Sequence, residues 1–492
     1  MKNKYLMGVD VGTQSAKVIL FDLKGNIVCQ GIKELRKLDI PAPLMAEHPD
    51  DDLWDSLKSA FLQAMERFKN EIHGKKEDIL ALGLCVIRCC RVLLKENGDL
   101  ASPVINWMDK RLNHPYDPGD RSKNVRYVTT SSGYITHRLT GEFKDTHANY
   151  IGWWPMDNDT FDWSTNQEAI NACNIPREML FEVVKPGDIL GYITRIASGL
   201  TGLPEGLPVV ATAHDKAVEA LGAGSLSSGT VLISLGTYIG AMVHGQNNIK
   251  TAKHFWPFHA SVPGHYIYEC MGVRRGMWTV SWFCDQFGEG VIQKAKDNHM
   301  TLEAFFNKEA EKIPPGCEGL ITVHDWAPPA EAPWRKGVMF GFDGRHTRAH
   351  IYRSILEGIA LTMKNHVDKM MEELEIPIEK LIISGGGAKS DVLMQIFSDV
   401  FGVPAGRNRI EGSASVGCII NAGMAVHAFD SYEKAVETLV RGGDEFFPNF
   451  ENNRFYTRLN NQVYKRVNLH FDPVLRELSP LVDGNSPGEM MK

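Results

Sequence analysis

The chain has 492 residues, of which 43% are hydrophobic and 23% charged, with a net charge of −7. That length calls for two large domains or three smaller ones with sizeable cores, and the mild acidity gives no global field for nucleic acid or membrane. No apolar run approaches the ~20 residues of a membrane span, Asp10 falls where the apolar centre of a signal peptide would lie, and nine cysteines without a Cys-x-x-Cys pair suit reduced thiols in a cytoplasm better than a disulfide framework or zinc site.

From the N-terminus, Tyr5 to Val9 reads as a buried strand and Lys17 to Asp22 as a second, with a turn at Gly25. "DDLWDSLKSAFLQAMERF" sets Leu53, Leu57, Ala60, Phe61, Ala64 and Phe68 on one helical face. "ILALGLCVIRCCRVLL" reads as a buried pair of strands, and "GLPVVATAHDKAVEALGAG" as strand, break at His214–Asp215, helix and glycine stop at Gly222. The opening pattern then returns: Thr230 to Ser234, a Gly236–Thr237 break, and Ile239 to Val243 parallel the first strand, Gly12–Thr13 and the second strand. This is a repeat at domain scale. It predicts an N-terminal domain over 1–226, a C-terminal domain over 227–478 and a flexible Gly/Pro-rich tail over 479–492. In the second half, Ile351, Ile355, Ile359, Met363, Val367, Met370 and Leu374 mark the clearest helix. "KLIISGGGAKSDVLMQIFSDVFG" reads strand, glycines, helix, and "EGSASVGCIINAGMAVHAF" is a small-residue helix able to pack closely.

Chemistry concentrates at the breaks. Either Gly-Thr hairpin alone is compatible with an ordinary turn, but a matching pair facing across a cleft could hold phosphates from both sides with amides and hydroxyls. Asp10 is either a turn-capping residue or an acid that holds Mg²⁺ between itself and phosphates. Lys17 is either a solvated strand residue or a phosphate counter-charge. Asp215 is either an N-cap or a base that takes a proton from an attacking hydroxyl. Gly385, Gly386 and Gly387 suit a backbone lying close to a nucleotide, without the spacing of a dinucleotide fold or a P-loop. "HTRAH" lacks the glutamate of a zincin and reads as a helix start; "WWPMDNDTFDW" reads as a packed surface loop.

The order of these motifs, with "NWMD", "RLTGEF", "AHDKAVEALGAG", "SLGT", "LEGIA", "SGGGAKS" and "EGSASVG", resembles the FGGY carbohydrate kinases over nearly the whole chain. The resemblance implies an α/β fold of two ribonuclease-H-like domains, of the actin and sugar-kinase type, around a central cleft. It implies ATP and Mg²⁺ as cofactors and a small sugar or polyol as partner, with no nucleic acid or membrane; a homodimer stays open. By position, Asp10 would be the magnesium-associated acid; Thr13, Gln14, Ser15 and Lys17 the first phosphate loop; Gly236 and Thr237 the second; Gly276, Gly386 and Ser390 the nucleotide side; and Asp215 the catalytic base.

The sugar side departs from the family. Where xylulose-type members carry Gln-Met-His-Gly and glycerol-type members Asn-Gln-Arg-Glu, this chain reads "VIRCCR", with Arg88 at the arginine and Cys89 in place of the acid. Asp109 stands at a substrate-proximal acid of pentulose and hexonate kinases. Arg88 and Lys216 near the sugar would favour an acidic substrate such as an aldonate, unless a neighbour such as Asp109 neutralises them. The stretch from Trp107 to Arg138 is shorter than in relatives, so the pocket is either open, covered by another element, or impaired. The expected activity is therefore ATP-dependent phosphorylation of a pentulose-like or aldonate hydroxyl. A nucleotide-binding pseudokinase is the alternative, and an actin- or chaperone-like ATPase a weaker third.

Overall fold

In the computed structural model, the residues described are 4–117, 124–329, 331–409 and 412–483. Two sheets organise the chain. The first has six strands in the order Ile189–Tyr192, Pro208–Ala211, Ile79–Val86, Tyr5–Val11, Ser15–Asp22, Ile27–Glu34. The second has seven, in the order Phe255–His259, Tyr266–Cys270, Ile239–Gly245, Thr230–Leu235, Lys380–Ser384, Ala405–Asn408, Gly442–Phe446. Tyr5–Val11 and Thr230–Leu235 occupy equivalent places. Each opens a hairpin, each has a parallel strand on its other side, and the strand beyond that is parallel again before an antiparallel edge. The repeat read from the sequence is thus a repeat of topology, with Phe255–His259 as an added edge strand in the second sheet.

Both hairpins are wider than the apolar runs alone suggest. The first pairs Tyr5 with Asp22 through to Val11 with Ala16, so Asp10 lies inside the strand, opposite Lys17. The turn is closed by the Gly12 N–H donating to the Ser15 carbonyl at 3.0 Å. The second pairs Val231 with Val243 through to Leu235 with Ile239, leaving Gly236, Thr237 and Tyr238 as its tip.

The helix Asp52–Asn70 buries the face marked by Leu53, Leu57, Ala60, Phe61, Ala64 and Phe68 against the first sheet. Each fully buried Leu or Phe there contributes roughly 2 kcal/mol of transfer free energy. The helix Arg348–Leu374 plays the same part in the second core, and Thr347 and His350 cap its start, the Thr347 N–H donating to His350 Nδ1 at 3.1 Å. "ILALGLCVIRCCRVLL" does form two buried strands, Ile79–Val86 and Val92–Leu94, but they do not pair: the second joins Tyr127–Thr129. Apolar runs reveal burial, not partners.

The two halves are tied by the small-residue helix Ser413–Ala425, which lies on Tyr5–Val11, Ile79–Val86 and the helix Asp215–Gly222. Its approach is backbone on backbone. A Cβ on Gly83 would sit 2.1 Å from the Cys418 carbonyl oxygen, and one on Gly222 would sit 1.8 Å from that of Ser413. Ser479 to Asp483 belong to the helix Val467–Asp483 rather than to a flexible tail, and 484–492, the rest of the expected tail, lie outside the described residues. No helix among the described residues is long and apolar enough to cross a membrane.

Candidate active site

Asp215 is the first residue of its helix. The N-cap is His214, whose imidazole accepts from the Ala217 N–H at 3.4 Å, so Asp215 is not the capping residue that its position allowed. Its Oδ1 accepts from the Lys216 N–H at 2.9 Å and lies 3.6 Å from Arg88 Nε.

Arg88 reaches this point because the chain turns sharply after Ile79–Val86. Ile87 donates to the Val11 carbonyl at 2.7 Å, beside the first hairpin, and Cys89 takes φ +59°, a left-handed conformation strained for a residue with a side chain. The Arg88 guanidinium forms a two-pronged pair with Glu269 on Tyr266–Cys270, Nη1 to Oε2 at 2.6 Å and Nη2 to Oε1 at 2.9 Å. Burial opposes the Arg88 charge, but Glu269 and Asp215 outweigh it and hold its pKa above the ordinary arginine value.

Lys216 is likewise committed. Its Nζ donates to Glu219 Oε2 at 2.9 Å and to Ser234 Oγ at 2.7 Å, and Ser234 and Ser384 both donate to the Glu219 carboxylate. Burial pushes against the charge on Lys216, and Glu219 and Asp215 reverse the shift and raise its pKa. This network joins the Asp215 helix to the first strand of the second hairpin and to the strand before the triple glycine.

Asp10 is half-buried, and loss of hydration lifts its pKa to about 6; Lys17 works the other way, and the nearby Asp215 and Glu219 raise it further. Thr13 Oγ1 accepts from the Trp107 indole N–H at 3.3 Å. Gln14 and Thr237 are exposed at the two tips and Ser15 is half-buried. Gly276 begins the helix Gly276–Asp285 against Ile239, and the Met277 N–H donates to the Gly236 carbonyl at 3.3 Å. Gly386 faces open space, with nothing within 4 Å of where its Cβ would be, and Ser390 Oγ donates to Asn307 Oδ1 at 2.9 Å and caps Asp391–Phe401.

The sequence-predicted residues thus fall into two groups. Asp10, Lys17, Arg88, Asp215 and Lys216 share one electrostatic cluster, while Gly236, Gly276, Gly386 and Ser390 line the second hairpin and the turns beside it. Asp109 joins neither. Its carboxylate accepts from the Ala46 N–H and from the Arg111 backbone and guanidinium at 2.7–2.9 Å, which fully occupies it. Arg111 and the other donors hold its pKa below the usual carboxylate range although burial alone would raise it. The partners of Arg88 and Lys216 are therefore Glu269 and Glu219, which the sequence reading did not single out. Glu219 lies one helical turn beyond Asp215, a spacing that carries a signal; Glu269 sits in an apolar strand in the other half of the chain and carries none.

A cavity of about 1110 Å³ opens beside this cluster, lined from one half by Arg88, Arg91 and Trp107 and from the other by Tyr238, Glu269 and the strand Phe255–His259. Its third wall is the loop of "WWPMDNDTFDW": Trp154 and Trp163 pack with Tyr150 and Leu93 in a small core, while Trp153, Met156 and Asp157 face the cavity. The loop is packed, as expected, and it also forms a wall of the cavity.

A nucleotide and a magnesium ion fit the residues present. Among the described residues no group of three or more His, Cys, Asp or Glu stands ready to hold a metal, but Mg²⁺ commonly takes one or two carboxylates together with phosphate oxygens and water. The acids Asp10, Asp215, Glu219 and Glu269 outnumber the cations Lys17, Arg88 and Lys216, so the cluster is short of positive charge beside two glycine-tipped turns.

Comparison with known proteins agrees. Residues 5–118 and 113–222 match the N-terminal domain of the FGGY family of carbohydrate kinases, and 231–426 its C-terminal domain. The chain is 46% identical over 484 residues to the uncharacterized sugar kinase YgcE of Escherichia coli K12, covering 98% of this chain and 97% of that one. Its fold resembles that of gluconate kinase from Lactobacillus acidophilus (TM-score 0.84, 18% identity, 97% of this chain and 100% of that one). It also resembles Plasmodium falciparum glycerol kinase with ADP (TM-score 0.78, 17% identity, 94% and 98%). With both domains matched across most of its length, the chain belongs to the FGGY family of carbohydrate kinases and is a phosphotransferase.

Proposed function

We propose that the chain transfers the terminal phosphoryl group of ATP to a hydroxyl of a sugar, sugar acid or polyol, with Asp215 as general base. The supporting observation is the setting of Asp215. A carboxylate at a helix N-terminus, 3.6 Å from Arg88, shares one charged cluster with Asp10 beside the first Gly-Thr hairpin, and Arg88 itself lines the sugar-sized cavity. Such a group can take the acceptor proton as the oxygen attacks phosphorus. Arg88, braced by Glu269, would orient Asp215. Thr13, Lys17 and Thr237 would hold phosphate oxygens at the tips, assisted by Gln14 and Ser15, and Gly236, Gly276, Gly386 and Ser390 would border the nucleotide. Asp10 would hold magnesium, which when bound neutralises phosphate charge. The domain boundary is best placed at 226/227, ahead of the second hairpin.

Both cations read from the sequence as sensors of an acidic sugar are neutralised within the chain, so neither supplies a charge for the substrate. The test is ADP release from ATP in the presence of pentuloses, aldonates and polyols. Acceptor-stimulated release supports the reading. ATP binding without it would make the protein a nucleotide-binding regulator instead.

A further inference from the structure

One cation lining the cavity has no acid. Among the described residues, Arg88 is paired with Glu269 and Lys250 with Asp159, while Arg91 has no carboxylate partner. Arg91 is 5% exposed. The Arg91 backbone is fixed by exchanging hydrogen bonds with Ile105, both at 3.1 Å. Its guanidinium lies 5.9 Å from the ring centres of Tyr116 and Trp154, and among the described residues its one hydrogen bond runs from Nη2 to the His114 carbonyl at a long 3.5 Å, with Nε making none. A guanidinium carries five N–H donors in a planar fork suited to an oxyanion. Burying it with most donors idle is costly unless something else satisfies them.

We infer that Arg91 is a specificity-determining residue that binds an anionic group, carboxylate or phosphate, carried by the sugar acceptor. Burial pulls the Arg91 pKa down to about 10, which leaves the side chain charged at neutral pH. Arg91 shares its turn with Arg88: "RCCR" places one arginine toward Asp215 and the other against the aromatic wall of Tyr116 and Trp154. One end of the cavity would then serve the reacting hydroxyl and the other the anion. This rests on the phosphotransfer reading above.

The test compares ADP release with gluconate, fructose 6-phosphate, xylulose and sorbitol as acceptors, in the wild type and in Arg91→Gln, with calorimetric titration of ATP and of each sugar. The inference expects an anionic acceptor to exceed its neutral counterparts in kcat/KM by roughly 30-fold or more, the size of a lost charged hydrogen-bond pair. It expects that preference to vanish in Arg91→Gln through KM, with ATP binding intact. Which of gluconate and fructose 6-phosphate is preferred distinguishes carboxylate from phosphate. If Arg91→Gln does not fold, Arg91→Lys carries the same test, since it keeps the charge without the fork and should raise KM. Efficient use of neutral acceptors with no preference for the anion, or a preference that survives both substitutions, overturns the role of Arg91 while leaving phosphotransfer standing. Failure of every sugar both to bind and to stimulate ADP release overturns both.

Discussion

Arg88 and Glu269 are joined by two parallel hydrogen bonds of 2.6 and 2.9 Å, and they come from opposite halves of the chain. The pair fixes the guanidinium so that Nε alone faces Asp215. Removing one member of such a buried pair leaves a charge without its partner. Glu269→Gln should therefore lower stability by about 3 kcal/mol in urea unfolding. With Glu269 neutral, Arg88 is free to close on Asp215 and mask it, and kcat for acceptor-dependent ADP release should fall roughly tenfold or more. Unchanged kcat in a folded Glu269→Gln protein would show that Arg88 does not orient the base.

The helix Ser413–Ala425 holds the halves together only because glycines let it approach. A methyl at Gly222 would sit 1.8 Å from the Ser413 carbonyl oxygen, which neither backbone can yield without moving apart. Gly222→Ala should cost about 2 kcal/mol or more. Gly290→Ala, on the helix Glu289–Asp297 with nothing within 4 Å, should be neutral or raise stability by up to about 1 kcal/mol. Thermal unfolding of the two variants side by side checks the contrast.

His147 and His259 share a hydrogen bond, Nδ1 to Nδ1 at 2.9 Å, on the cavity wall. Burial, with the charges of His259 and Lys185 adding, lowers His147 to about 3; burial lowers His259 to about 4, against backbone hydrogen bonds at Asn158 and His147 and the charge of Asp157. The unfolded chain takes up these protons below its ordinary pKa of 6.5, whereas the folded chain resists until about 4. The stability they contribute is thus present above pH 6.5 and lost as pH falls from 6.5 toward 4, at up to about 1.4 kcal/mol per pH unit for each histidine. Urea unfolding at pH 7.5, 6 and 5 should show a shallower loss in His259→Asn than in the wild type. Equal slopes would mean that the pair is protonated in the folded protein.

Local pattern carried most of the fold. The two hairpins, the apolar face from Leu53 to Phe68, and the helix start at Thr347 follow from periods and caps that neighbouring residues set. Pairing across long separations did not show: Val92–Leu94 left the sheet of Ile79–Val86, and Glu269 had no feature to distinguish it from its apolar strand. Within the site, Asp215 stood out as a candidate because it sits where a strand gives way to a helix, and Lys17 because it closely follows the first hairpin turn. Asp109, one neighbour that could neutralise Arg88 or Lys216, pairs instead with Arg111, only two residues on, where the short spacing favours it. Arg91 was passed over because an arginine inside an apolar run reads as part of the run until its surroundings are known.

The assignment of Asp215 is the centre of the account, and Asp215→Asn tests it most directly. The substitution keeps size and helix start, so ATP titration should give an affinity close to that of the wild type. Acceptor-dependent ADP release should fall by roughly 10² to 10⁴-fold, the usual contribution of a general base. Turnover close to that of the wild type in Asp215→Asn would contradict the account, since the proton would then be leaving the acceptor by another route.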